Sequence, residues 1–144
     1  MEPSNSNVEI LRKYFADRQS EIIASIRALV ETESASGDEA GSTAVVSLLA
    51  AAADSIPKVQ VEIIPAINYG RHLRVTAFAD APASAPLILL GHSDTVHPRG
   101  SIVERPWRVE GNKAYGPGVF DMKANCVLAL DVIRALAQVG IKPK

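Results

Sequence analysis

The sequence has a single cysteine, Cys126, so no disulfide can form within one chain. Cys126 lies among apolar residues of a helical pattern, which indicates a small core residue. The charges almost cancel, to a formal net charge of -1 at pH 7, and this balance argues against binding to nucleic acid or an anionic membrane. A disulfide-stabilised scaffold and a nucleic-acid-binding protein are therefore the first classes that the composition disfavours.

Long hydrophobic runs are also absent. The most apolar helical stretch, residues 22–30, is interrupted by Arg27 and is too short to span a bilayer. The first seven residues are polar and have no basic segment followed by an apolar core, so they do not resemble a secretion signal. We therefore expect a cytoplasmic protein that does not bind membranes, with a disordered polar tail over residues 1–7.

The chain does have enough apolar sequence for one core, since 47% of its 144 residues are hydrophobic. Apolar residues recur at helical spacing in three regions, about 8–33, 38–53 and 122–139. Alternating polar and apolar residues predict strands in two regions, 59–63 and 72–78. A turn at residues 110–112 predicts a hairpin. No internal repeat or long linker divides these regions, so we expect one folded unit over residues 8–144.

The most informative stretch is the apolar run at residues 87–90, which follows Pro86 and is soon succeeded by His92 and Asp94. A run this short is a strand or part of a buried helix, and the preceding proline favours the strand. Strands that are apolar on both faces are typical of parallel sheets covered by helices. Together with the helical patterns, the run predicts an α/β fold with a mixed, largely parallel sheet flanked by helices.

His92 and Asp94 stand at the carboxyl end of this predicted strand, where parallel sheets hold their ligands. In extended backbone, residues two apart point to the same side, so the Asp94 carboxylate can reach one imidazole nitrogen while the other faces a metal ion. The alternative is a polar loop after a strand, with His92 satisfied by backbone groups and Asp94 capping a turn. Spacing alone does not choose between the metal site and the loop.

A second segment, residues 114–123, sets Asp121 between a turn rich in glycine and proline and the helical pattern that begins at Met122. An aspartate in this position can be simply the N-cap of the helix, with the glycines as turn residues. A phosphate-binding role for Gly116 and Gly118 is excluded by their spacing, which matches neither the dinucleotide fingerprint nor the P-loop. The segment by itself leaves open whether Asp121 is a cap or a functional carboxylate.

Taken together, the two segments resemble the amino-terminal part of the zinc metallopeptidase family that includes glutamate carboxypeptidase, aminoacylase, acetylornithine deacetylase and succinyl-diaminopimelate desuccinylase. The stretch over residues 105–118, RPWRVEGNKAYGPG, is most similar to the glutamate carboxypeptidase branch. The resemblance covers most of this chain, whereas the chain covers roughly the first third of a typical member. It implies that residues 8–144 are the N-terminal portion of the catalytic domain, an incomplete zinc-peptidase-like fold.

Carried over residue by residue, the resemblance implies that His92 binds one zinc ion, that Asp121 bridges two, and that Asp94 serves catalysis by orienting His92. Two cations held by a bridging carboxylate can activate a water for attack on an amide carbonyl. The resemblance further implies a cis peptide bond between Asp121 and Met122. It also implies a small peptide or N-acyl amino acid as substrate and a homodimer in the complete enzyme.

The sequence departs from the family pattern after the aspartate motif, where Ala124 and Asn125 replace two glycines. The family's general base, the first of two adjacent glutamates, and its remaining metal ligands are expected beyond Lys144. With only two protein ligands, we expect this chain alone to bind zinc weakly and to be inactive.

The expected function is therefore that of the N-terminal part of a dinuclear zinc hydrolase. The complete enzyme would cleave a peptide or N-acyl amide bond next to a free carboxylate. The alternative is a truncated, non-catalytic homologue that acts as a binding or complementation partner.

Overall fold

The computed structural model describes residues 5–80 and 85–141, which contain both helices and strands, as an α/β fold requires. The helices are α1, Asn5–Glu31; α2, Glu39–Asp54; the short α3, Ser101–Glu104; and α4, Ala124–Val139. The strands are β1, Val59–Ala66; β2, Gly70–Ala77; β3, Arg108–Glu110; and β4, Lys113–Tyr115. In the part of the chain that is described, no helix is both long and apolar enough to cross a membrane.

Helix α1 accounts for the first helical pattern, predicted over about residues 8–33, as one continuous helix. Its buried apolar residues Ile22, Leu29 and Val30 lie on one face, because they are seven and eight positions apart. The helix begins at Asn5, so residues 5–7 of the predicted disordered tail are helical. The first four residues of that tail lie outside the described residues.

Helix α2 begins where its sequence supplies an N-cap. The Asp38 carboxylate accepts a hydrogen bond of 3.0 Å from the backbone N–H of Gly41, which satisfies a donor that a helix start otherwise leaves unpaired. The buried residues Val45, Leu49 and Ala53 then follow at intervals of four. This helix agrees with the predicted region 38–53 to within one residue at each end.

The core is formed by apolar side chains of α1, α2 and α4, and the hairpin β1–β2 packs on α2. Its buried members are Ile22, Leu29, Val45, Leu49, Ala53, Ile56, Val127 and Leu130. Cys126 is partly buried and packs against this cluster, as expected for a small core residue. The three longer helices thereby hold the segments that precede and follow the candidate site.

Both sheets in the described residues are antiparallel hairpins. Strand β1 pairs with β2, with Val61 opposite Val75 and Ile63 opposite Leu73. Strand β3 pairs with β4 around the turn at residues 110–112, which confirms the predicted hairpin. The shorter hairpin ends at Tyr115, shortly before the segment that carries Asp121.

The predicted largely parallel sheet is not formed within residues 5–80 and 85–141, and the strand predicted at residues 87–90 is wrong. Parallel pairing occurs there as an isolated bridge between Ala35 and Thr95. The apolar side chains of residues 87–90 are exposed, from 60% at Leu89 to 91% at Leu90. A strand that is apolar on both faces needs partners on its edges and cover on its faces, and neither is provided among the described residues.

Candidate metal site

The structure brings together the three side chains that the sequence singled out, although His92 and Asp121 are 29 residues apart. The Nε2 atom of His92 lies 2.9 Å from Oδ1 of Asp121. The Nδ1 atom lies 3.1 Å from the backbone oxygen of Asp94 and 3.2 Å from Oδ1 of its carboxylate. Because the side chains of His92, Asp94 and Asp121 are 48%, 45% and 76% exposed, the cluster is open to solutes.

The charge of His92 is set by its two acidic neighbours. Burial alone would lower the pKa of His92, but the hydrogen bonds to the Asp94 backbone and to the Asp121 carboxylate, with the charges of both aspartates, raise it above its ordinary value. The ring is therefore held between two acceptors, one at each nitrogen. A cation in contact with Nε2 would replace the proton there.

Asp121 is not the N-cap of α4. It lies in a kinked helical turn, Val119–Lys123, at φ -122° and ψ 96°, outside the helical range. The N-cap position of α4 is Lys123, which makes no side-chain capping hydrogen bond. The structure also confirms the expected cis peptide bond between Asp121 and Met122. The Asp121 carboxylate thus contacts His92 instead of the helix end, so the interpretation as a cap is wrong.

Asp94 is held in turn by a loop that the sequence did not connect with the site. The Ser36 hydroxyl donates to Oδ2 of Asp94 at 2.5 Å. The backbone of this loop, residues 34–37, pairs with the segment after His92. The Thr95 N–H donates to the backbone oxygen of Ser34 at 2.8 Å, and the Ser36 N–H donates to the backbone oxygen of Thr95 at 2.9 Å. Residues 34–37 carried no signal beyond that of a polar loop, so this contact could not be foreseen.

Lys123 is a second residue whose role the sequence did not reveal. Its side chain is buried, and its ammonium donates to the backbone oxygens of Leu29 at 2.9 Å and Thr32 at 2.7 Å. Burial lowers the pKa of Lys123 to about 8. These acceptors lie at the end of α1, where carbonyls lack helical partners and carry partial negative charge. Lys123 therefore holds the segment next to Asp121 against the end of α1.

Glu33 fixes the backbone around residues 100–102, at the start of α3. Its Oε1 atom accepts hydrogen bonds from the backbone N–H groups of Gly100 at 2.7 Å and Ile102 at 3.2 Å. These two hydrogen bonds, that of Gly100 first, lower the pKa of Glu33 below its ordinary value. Glu33 therefore has a structural contact with the loop around residues 100–102.

We expect Glu33→Ala to increase amide hydrogen exchange at Gly100 and Ile102, because both amides lose their acceptor. The pKa of Glu33 is lower in the folded chain than its ordinary 4.5, so its stabilising effect is present above about pH 4.5 and is lost as the pH falls through the folded-state value. The variant should therefore lose less stability than the wild type on acidification below that pH, as measured by urea denaturation.

Glu31→Ala is the matched control, since Glu31 is the last residue of α1, two positions before Glu33, but pairs with the exposed Arg27. It should leave exchange at both loop amides unchanged. Equal exchange in the Glu33→Ala and Glu31→Ala proteins would contradict the loop-fixing role.

Next to Asp121 the surface forms an open, mostly apolar concavity. Its lining residues are Ala114, Val119, Phe120, Asp121, Met122, Ala124 and Asn125. Phe120 is 91% exposed and offers an apolar surface at one side of the carboxylate. A solute that reached Asp121 would therefore meet both a charged group and an apolar wall.

The donors at the cluster fit a partial zinc site. Zinc takes histidine nitrogen and carboxylate oxygen at about 2.0–2.2 Å, so two ligands of one tetrahedral ion lie roughly 3.3 Å apart. The observed separation between His92 Nε2 and Asp121 Oδ1 is 2.9 Å, which small side-chain rotations can adjust. Within the described residues, no group of three or more histidine, cysteine, aspartate or glutamate side chains is placed to hold a metal ion. Among the described residues, His92 and Asp121 are thus two side chains of the types that zinc accepts.

Comparison with known proteins agrees with these motifs. Residues 88–144 match the family described as Peptidase family M20/M25/M40. Carboxypeptidase G2 from Pseudomonas sp. (strain RS-16) is 27% identical over 135 residues, which make up 92% of this chain and 32% of that protein. The chain thus spans about a third of the length of this relative.

The region matched to the family contains His92, Asp94 and Asp121, the residues that the structure brings together. The match to carboxypeptidase G2 extends the similarity over most of the chain. Together they confirm the resemblance inferred from the motifs: the chain is similar to the glutamate carboxypeptidase-like peptidases of the M20 family.

Proposed function

We propose that this chain supplies part of the metal site of a dinuclear zinc hydrolase, with His92 and Asp121 as ligands and Asp94 as the residue that orients His92. The geometry of His92 carries the proposal: Nε2 meets Asp121 at 2.9 Å while Nδ1 is turned to Asp94. Metal-binding histidines usually have one ring nitrogen on such a partner, which fixes the tautomer and leaves the other nitrogen for the ion.

Zinc held by these ligands would supply Lewis acidity toward an amide carbonyl and would activate water near neutral pH. The chain's own residues prepare the site. With a metal ion on Nε2, Nδ1–H of His92 would donate to the Asp94 backbone oxygen at 3.1 Å, beside the carboxylate at 3.2 Å, and so keep the lone pair on Nε2. Asp121 is 76% exposed, which leaves room for a second cation beside its carboxylate, as the bridging role requires.

The proposed substrate is a small peptide or an N-acyl amino acid, cleaved at the amide bond next to a free carboxylate. The similarity to a protein named carboxypeptidase supports this class of substrate. We place the general base and the remaining ligands outside these 144 residues and propose a homodimer for the complete enzyme. This chain alone is then the N-terminal portion of the catalytic domain, over residues 8–144, and is inactive.

The metal site is tested by titrating the chain with Zn²⁺ in a calorimeter and with Co²⁺ by visible absorption. We expect His92→Ala and Asp121→Asn each to weaken binding about tenfold or more, since each removes a ligand. His72→Ala and Asp54→Asn are matched controls, because both residues are exposed and lie on β2 and α2. Equal binding by all four variants would contradict the assignment of the ligands.

The hydrolase is tested with a panel of N-acyl amino acids in the presence of Zn²⁺. The chain alone should give no turnover. Mixed with the part of carboxypeptidase G2 that follows its matched region, it should give turnover that Asp121→Asn abolishes. Turnover by the chain alone would contradict the proposed inactivity, whereas the absence of both metal binding and complementation would overturn the proposed function.

The second candidate, a non-catalytic binding or complementation partner, is favoured by the exposed apolar run at residues 87–90. Exposed apolar segments of this kind associate with other chains, often by strand pairing. Pairing of this run with strands of a partner would form the parallel sheet that the sequence predicts. In the same mixing experiment, a stable complex without turnover would support this role over catalysis.

A further inference from the structure

We propose that Ser36 is a positioning residue for this site: its hydroxyl holds the Asp94 carboxylate, which in turn orients the His92 ring. The use of this arrangement rests on the proposed function, in which His92 is a metal ligand. The hydrogen bonds themselves can be tested without a metal ion.

A continuous series of contacts joins the loop to the candidate ligands. Ser36 Oγ donates to Oδ2 of Asp94 at 2.5 Å, and Oδ1 of the same carboxylate lies 3.2 Å from Nδ1 of His92, which also hydrogen-bonds to the Asp94 backbone oxygen at 3.1 Å. On the far side of the ring, Nε2 lies 2.9 Å from Asp121. The two oxygens of Asp94 are thus divided between Ser36 and His92. Rotation of the carboxylate away from His92 would break its charge-assisted hydrogen bond with Ser36.

Ser36 can act in this way because its backbone is fixed on both sides of the hydroxyl. Its N–H donates to Thr95 at 2.9 Å, next to the parallel bridge between Ala35 and Thr95. After it, the N–H of Asp38 closes a turn by donating to Ala35 at 2.8 Å. The hydroxyl therefore starts from a fixed position, unlike that of a serine on a mobile surface loop.

A purely local role for Ser36 is the competing explanation. Its hydroxyl also lies 3.3 Å from the backbone oxygen of Thr95, so it could simply support the turn. A hydroxyl has one proton, however, and the contact with the Asp94 carboxylate is shorter and is made to a charged acceptor. The two explanations differ at His92: the positioning role changes the imidazole, and the local role does not.

The experiment follows the ¹⁵N shifts of the His92 ring with pH in the full 144-residue chain and compares proteins at a pH above the observed titration of the ring. Because Asp121 faces Nε2 and Asp94 faces Nδ1, the wild-type ring should carry more of its proton on Nδ1 than the ring of Ser36→Ala does. In Ser36→Ala the shifts should move toward a mixture of the two tautomers, and zinc affinity by calorimetry should fall about threefold to tenfold, less than for a direct partner of a ligand. Ser36→Thr keeps the hydroxyl and should restore both values.

Ser47→Ala is the matched control, because Ser47 also donates from its hydroxyl to a backbone oxygen, that of Thr43 at 2.7 Å, but lies on α2. It should behave as the wild type in both measurements. Ser36→Cys, which keeps the side-chain size but donates weakly, gives a second test if Ser36→Ala fails to fold.

The outcomes separate this inference from the proposed function. Wild-type ring shifts and zinc affinity in Ser36→Ala and Ser36→Cys would overturn the positioning role and leave the metal site intact. Altered ring shifts with no zinc binding by any protein, the wild type included, would support the positioning of His92 and count against the proposed metal site.

Discussion

Replacing Gly118 with alanine is expected to lower the free energy of unfolding by about 3 kcal/mol. Gly118 has φ 72°, a left-handed conformation that costs an L residue roughly 1–2 kcal/mol. A Cβ atom there would also overlap the Cγ2 methyl group of Thr95, which is buried. Because the neighbouring backbone is paired with residues 34–36, the methyl group cannot move away cheaply, and overpacking of this kind costs about 1–3 kcal/mol.

Gly140→Ala provides a matched control for the backbone contribution alone. Gly140 also has φ 72°, as the C-cap of α4, but a Cβ atom there would meet nothing within 4 Å. We expect this variant to lose about 1 kcal/mol in urea denaturation. Equal losses for the two variants would show that the contact between Gly118 and Thr95 has no energetic importance.

The Gly118→Ala substitution should also weaken zinc binding. Gly118 contacts Thr95, which ends the segment 92–95 that contains His92. Its backbone oxygen accepts a hydrogen bond of 3.0 Å from the N–H of Lys123, in the segment 119–123 that contains Asp121. Separation of these segments would move the two proposed ligands apart. Calorimetric titration of the folded variant with Zn²⁺ measures this effect.

The Asp131→Ala substitution is expected to destabilise the chain by about 3 kcal/mol. Asp131 is 5% exposed. The Nε atom of Arg18 donates to Oδ1 of Asp131 at 3.0 Å, and Nη2 of Arg18 lies 3.0 Å from the same oxygen. The pair joins α1 to α4. Its loss would remove the buried counter-charge that lies beside both Arg18 and Arg134, and would leave Arg18 with the exposed Glu21, whose Oε2 lies 2.5 Å from Nη1, as its ion-pair partner among the described residues. In the same part of the chain, the buried Nε of Arg134 already has no hydrogen-bond partner.

Asp17→Ala tests whether the loss of stability expected for Asp131→Ala comes from the burial of the ion pair or from the loss of any ion pair. Asp17 pairs with Lys13 at 2.9 Å on the exposed face of α1, with side chains 61% and 79% exposed. Solvent screening limits such a pair to less than about 1 kcal/mol. Thermal and urea denaturation of both variants should therefore give clearly different losses, and similar losses would contradict the argument from burial.

The helices could be predicted from the sequence because their signals are local. Apolar residues at helical spacing identified α1, α2 and α4, and the structure adds the ends, with Asp38 as the N-cap of α2 and Gly140 as the C-cap of α4. Local alternation predicted the two strands of the longer hairpin, though not their pairing, and the turn at residues 110–112 predicted the shorter hairpin. The strand at residues 87–90 could not be settled in this way, because strand formation depends on partners distant in the sequence.

At the candidate site, too, contacts between neighbouring residues could be predicted from the sequence, whereas contacts between distant residues could not. His92 and Asp94 are two residues apart, so their mutual contact could be anticipated from extended backbone geometry. The role of Asp121 was open between cap and functional carboxylate, since the decisive contact is with a residue 29 positions earlier. Ser36 is 58 positions from its partner Asp94. No local pattern contains such a pairing, so only the folded chain reveals it.

The contacts of Lys123 have a consequence for how the site can open. Its ammonium bonds to carbonyls 94 and 91 residues earlier, so the segment of Asp121 and the end of α1 are linked through a buried contact. Local fraying of either partner would leave those carbonyls or the ammonium buried without a partner, which is costly. Residues 119–123 and the last turn of α1 therefore belong to one cooperative folding unit. Asp121, a proposed ligand on an exposed turn, is therefore expected to resist local unfolding as strongly as the helical core does.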